Sequence, residues 1–77
     1  MATFQDNFRG CTIVVETEKV EHPVIRRFFR VVSVVITREG QRLDYSTRVS
    51  YEGQDEKTLG KRAITDAKIY AKNRFPE

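Results

Sequence analysis

Residues 25–40, IRRFFRVVSVVITREG, decide how this chain is read. A strand with one buried face alternates apolar and polar side chains. This stretch is apolar on both sides. Phe28, Val32, Val34 and Ile36 share one face, and Phe29, Val31 and Val35 share the other. Its valines and isoleucines are strand formers. Fully extended from Val24 to Arg38 it would run about 50 Å, against roughly 17–20 Å for an ordinary strand. Either the strand starts later, or a bulge near Phe28 and Phe29 exchanges which ring points inward.

Downstream, REGQ reads as a hairpin turn. With Glu39 and Gly40 as a two-residue loop, Gly40 supplies a positive φ at no cost, whereas Glu39 is a poor first loop residue. That register pairs Ile36 with Leu43, Val34 with Tyr45, Val32 with Thr47 and Phe28 with Tyr51. The next strand, RLDYSTRVSY (42–51), alternates cleanly, with Leu43, Tyr45, Thr47, Val49 and Tyr51 on one side. Apolar then meets apolar across the pair, as cross-strand packing requires. Arg30 is the misfit, falling opposite Val49, and it again points to a bulge or an early strand end.

Upstream, CTIVVET (11–17) reads as the first strand, and EKVEHP with Pro23 breaks it. Residues 1–9 read as an arm anchored by Phe4 and Phe8. From Asp55 to Asn73 the period becomes helical. Asp55 caps the start and Glu56 complements the helix dipole. Leu59, Ala63, Ile64, Ala67, Tyr70 and Ala71 fall in one stripe about 140° wide. Gly60 falls near its centre, so the helix is expected close against the sheet. Phe75 and Pro76 end it. The expectation is one α+β domain over residues 1–77: an arm (1–9), a three-stranded antiparallel meander (11–51) and a C-terminal helix (55–73) packed on one face.

Seventy-seven residues suffice for one domain with a thin core. No run approaches the roughly 18 apolar residues of a membrane helix. MATFQDNFRG lacks a basic stretch followed by an apolar one, so no signal peptide is expected. Cys11 is the one cysteine. An internal disulfide is excluded, and a reducing compartment, the cytoplasm, is expected. The net charge of +3 is unevenly placed: Lys57 to Arg74 holds six Lys or Arg against one Asp.

Three classes of function follow. One helix covers one sheet face, so the other face, with Phe29, Val31, Val35, Arg42 and Arg48, is the expected protein interface, for a homodimer or another partner. The competing arrangement folds the arm back so that Phe4 and Phe8 cover it. The alternative is nucleic acid. Lys57, Lys61, Lys68 and Lys72 align within about 60° around the helix and span about 22 Å, enough to follow a phosphate backbone. Arg26, Arg27 and Arg30 surround two Phe residues, a pattern used to hold single strands. The simpler reading of the lysine row, and the favoured one, is a solvated helix flank. Catalysis is not expected. His22 sits in a turn, no base is marked beside Cys11, and no phosphate-loop, zinc or metalloprotease motif occurs. No metal or cofactor is implied.

The strands followed by KTLGKRAITDAKIYAKNRF (57–75) resemble the C-terminal half of a double-stranded-RNA-binding domain. In that family, lysines at a helix start meet phosphates; the preceding helix and the helix-opening lysine cluster are not matched here. FRGCTIVVET (8–17) with the later helix also resembles short uncharacterised bacterial proteins grouped as domains of unknown function, a resemblance that implies no activity.

Overall fold

The structure is a computed structural model and describes residues 2–45 and 51–75. The REG turn forms where the sequence puts it. Glu39 and Gly40 have φ of 52° and 77°, the two positive angles of a type I′ loop. They join β3 (Phe29–Arg38) to β4 (Gln41–Arg42), with Arg38 opposite Gln41 and Thr37 opposite Arg42. The Leu43 N–H donates to the Ile36 carbonyl at 2.8 Å, in the expected register.

The same device recurs upstream. Arg9 and Gly10, with φ of 50° and 77°, join β1 (Ala2–Phe8) to β2 (Cys11–Lys19). The two strands pair from Ala2 opposite Thr17 to Phe8 opposite Cys11. Residues 2–8 are thus an edge strand in the plane of the sheet rather than an arm. β2 pairs with β3, and β5 (Glu52–Gly53) with the start of β3. The antiparallel order is β1-β2-β3-β4, with β5 also on β3. α1 (Glu56–Arg74) packs across one face. This is the expected α+β arrangement, with a strand added on its N-terminal side.

The bulge lies three residues beyond Phe29. Glu16 faces Ser33 and Thr17 faces Val31, so Val32 is the extra residue, and it is 43% exposed. One extra residue reverses the alternation that follows. Val34 and Ile36 face the helix on one side of the bulge, and Val31 and Phe29 do so on the other. The two apolar stripes of residues 25–40 are therefore largely one stripe, displaced midway. The expectation that Phe29 and Val31 share the far face with Val35 is corrected for that reason.

The third strand divides. Had the ladder continued from Arg38 and Gln41, Phe29 would face Ser50. It faces Gly53, so three more residues are accommodated. The chain leaves the ladder after Leu43. The Tyr45 N–H turns back to the Leu43 carbonyl at 3.0 Å, and the Tyr45 ring packs on Tyr70, 4.8 Å between centroids. Tyr51 lies opposite Val31, whose N–H donates to its carbonyl at 3.0 Å, instead of opposite Phe28. Arg30 faces Glu52 instead of Val49. The expected placements of Ser46, Thr47, Arg48, Val49, Ser50 and Pro76 lie outside the described residues.

Asp55 caps α1 by accepting from the Thr58 N–H at 3.3 Å and the Thr58 hydroxyl at 2.9 Å. These bonds, the hydroxyl first, hold its carboxyl below the usual range. Leu59, Ala63, Ala67 and Ala71 lie on Cys11, Ile13 and Val15 of β2, Val34 and Ile36 of β3, and Tyr51. A Cβ on Gly60 would lie 2.5–2.8 Å from three atoms of the Phe4 ring. Glycine there lets the helix backbone come down onto β1. Thr17 is buried, and its hydroxyl donates to the Glu56 carboxylate at 2.8 Å, which fixes the helix start over β2. On the far flank the Tyr51 hydroxyl donates to Asp66.

Candidate interaction surface

Contacts along α1 fix its direction relative to β1. Glu56 bonds Thr17, the partner of Ala2. Gly60 lies on Phe4. Lys68 Nζ donates to Asp6 Oδ2 at 2.7 Å and stands 6.0 Å from the centre of the Phe8 ring. The Phe75 carbonyl accepts from Arg9 at 3.3 Å. The helix therefore runs beside the strand in the same direction. Lys57, Lys61 and Lys72 share the flank marked by Lys68 and are exposed. The row covers about 22 Å, and β1, at about 3.3 Å per residue, is nearly the same length.

Among the described residues β1 pairs with β2 alone. In a two-residue hairpin the residues flanking the loop exchange both backbone bonds. Phe8, Asp6, Phe4 and Ala2 therefore bond toward β2, and Thr3, Gln5 and Asn7 present their N–H and C=O groups outward. The Asp6 carboxylate accepts from the Asn7 N–H at 2.8 Å. Lys68 first, and that N–H second, hold the Asp6 carboxyl below its ordinary range. The strand ATFQDNF carries no Pro, Lys or bulge; its one charged residue, Asp6, occupies the Asn7 N–H and leaves the outward groups of Thr3 and Gln5.

The sheet face away from the helix has Gln5, Val14 and Val35 in line across its centre. Asn7, Thr12, Thr37 and Arg42 form the next row. Of the residues expected at an interface there, Val35 and Arg42 lie on this face. Phe29 and Val31 pack with the core on the helix side, and Arg48 lies outside the described residues. The basic residues expected to bind nucleic acid do not gather. Arg30 stands on the uncovered face, opposite Glu18 and ion-paired with it. The lysine row is on the helix, across the sheet. Arg26 and Arg27 are exposed in the loop joining β2 and β3, which closes with Val20 N–H on the Phe28 carbonyl at 2.8 Å.

His22 is engaged in that loop: its Nδ1 accepts from the Val24 and Ile25 N–H groups, each at 3.1 Å. Cys11 is buried. Among the described residues no three His, Cys, Asp or Glu side chains are grouped to hold a metal ion, and no helix is long and apolar enough to cross a membrane. Comparison with protein-family models, curated proteins and solved structures finds no match for this chain.

The edge formed by β1 was not singled out from sequence, yet a signal for it exists. FRGC repeats the X-Gly pattern of TREGQ, with Phe8 and Cys11 as flanking strand residues. Asp6, at a helix-side position between Phe4 and Phe8, interrupts the apolar alternation that would have marked the strand.

Proposed function

We propose that this chain is a small, non-enzymatic, cytoplasmic interaction module whose working surface is the free edge of its sheet. An extended segment of a partner protein adds to β1 as a further strand. The outward backbone groups on Thr3 and Gln5, on an edge free of Pro, Lys and bulges, carry this reading. Such edges template strand addition, in which main-chain bonds supply affinity and alternate side chains supply selectivity. The lone buried thiol of Cys11 suits a reducing compartment.

Two other surfaces compete less well. The uncovered face keeps Val14 and Val35 at its centre but not Phe29 and Val31, which leaves little of the desolvated middle that interfaces use. Single-stranded nucleic acid is held by bases stacked on accessible aromatic rings. The large exposed apolar side chains among the described residues are Val24, Val32 and Ile69, and none is aromatic.

Panning a random octapeptide library against the folded protein, followed by amide-resonance mapping of each enriched peptide, tests the reading. The expected result is perturbation and slowed hydrogen exchange at the Thr3 and Gln5 amides. A library yielding no peptide that acts on those amides, or only peptides that shift Val14 and Val35 or the loop carrying Arg26 and Arg27, refutes it.

A further inference from the structure

The edge and the helix flank beside it are one surface, and their charges identify the occupant. Resting on the strand-addition reading, we propose that the partner segment is acidic, with Asp or Glu at every second position and neutral residues between. An added strand beside β1 points alternate side chains to the helix side of the sheet. There they stand alongside Ala2, Phe4, Asp6 and Phe8, next to Lys57, Lys61, Lys68 and Lys72. Side chains two apart on a strand are about 6.6–6.8 Å apart. Lysines four apart on a helix are about 6 Å apart along its axis, so the pairs Lys57/Lys61 and Lys68/Lys72 match consecutive acids on such a strand. The intervening side chains fall next to Thr3, Gln5 and Asn7, which carry no charge.

The protein already holds one acid in this way. Asp6 takes Lys68 at 2.7 Å and an outward edge N–H at 2.8 Å, the two kinds of donor that the partner would meet. A second copy of this chain fits poorly. Pairing β1 with β1 about a two-fold axis puts both helices on the same side of the joined sheet and turns their lysine flanks toward each other. Like charges so placed oppose association. An acidic strand meets complementary charge at Lys57, Lys61 and Lys72, with Lys68 shared with Asp6.

The test uses two end-blocked heptapeptides, one alternating Glu with Val and one with Gln in place of every Glu, and an oligouridine of twelve nucleotides. Amide-resonance titration of the full chain is the readout. The acidic peptide is expected to perturb Thr3 and Gln5, to bind at least tenfold tighter than the Gln peptide, and to weaken several-fold as salt rises from low to physiological ionic strength. The pair Lys61→Glu with Lys72→Glu, both exposed, removes that preference. Asp6→Asn frees Lys68 and strengthens acidic-peptide binding about two- to fivefold. Equal binding of both peptides at Thr3 and Gln5 overturns the acidic preference and leaves strand addition standing. If neither peptide acts on those amides, both readings are overturned. Oligouridine competing the acidic peptide off the lysine row without touching the Thr3 and Gln5 amides assigns the row to nucleic acid and likewise overturns the proposal.

Discussion

Replacing Gly60 by Ala reverses in sign according to what stands at residue 4. In an ordinary exposed helix the change stabilises by up to about 1 kcal/mol, because glycine loses more backbone freedom on folding. Here the added methyl would meet the Phe4 ring at 2.5–2.8 Å, closer than side-chain carbons approach. Overpacking of that kind costs about 1–3 kcal/mol. The net expectation for Gly60→Ala is a loss of about 1 kcal/mol, or roughly 4–8 °C in Tm for a domain of this size. In a Phe4→Ala background the overlap is gone, and the same change gains about 1 kcal/mol. The coupling between the two sites is therefore about 2 kcal/mol. Phe4→Ala alone removes a half-buried ring at a cost of about 2 kcal/mol, tolerable in a domain whose total stability is about 4–11 kcal/mol. Urea unfolding of the four proteins, followed by helical circular dichroism, closes the cycle. Stabilisation by Gly60→Ala in both backgrounds would refute the close approach of α1 to β1, and with it the alignment of the lysine row along the edge.

Asp55→Ala lowers stability by about 1 kcal/mol, because the Thr58 N–H and hydroxyl lose their acceptor; a shifted urea midpoint at constant slope is the readout. Glu39→Asn raises stability by roughly 0.5 kcal/mol, since Asn tolerates the 52° φ that Glu39 holds; thermal melts decide it. Asp6 and Asp55 both have carboxyls held below 3.8 in the folded chain. The stability they contribute is complete above the unfolded value of about 3.9 and is lost as pH falls through their folded values. Urea midpoints measured from about pH 5 downward should therefore drop below about pH 4, and Asp6→Asn with Asp55→Asn should flatten the drop. Val35→Gln, on the uncovered face, should leave peptide binding at the Thr3 and Gln5 amides unchanged in the same titration.

The helix was legible because each of its cues acts locally. Asp55, the stripe from Leu59 to Ala71 and the small residue at 60 each state a requirement within a turn or two. The Glu39–Gly40 loop was legible for the same reason, and its register holds as far as Leu43. The bulge was legible as a conflict, two apolar faces on one strand. Its position was not, because it depends on the pairing of β3 with β2, where Thr17 faces Val31 and Glu16 faces Ser33, a match made across the fold. The division of the third strand was hidden for a related cause: once Phe29 and Val31 turn inward, Tyr51 has to reach Val31, a demand no alternation pattern records. The lysine row was visible as a stripe. Only its neighbour was missing, since nothing local says that residues 2–8 lie beside residues 57–72.

The clasp between Phe4 and Gly60 joins the earliest strand to the latest element, and this sets an order during synthesis. The first hairpin leaves the ribosome with both of its aromatic rings bare. At about 5–20 residues per second, the helix that shelters them follows on the order of seconds later. Through that interval the nascent hairpin offers an uncovered apolar side and an open edge without the cations that later flank it. A nascent chain stalled before Glu56 lacks the helix against which Phe4 packs.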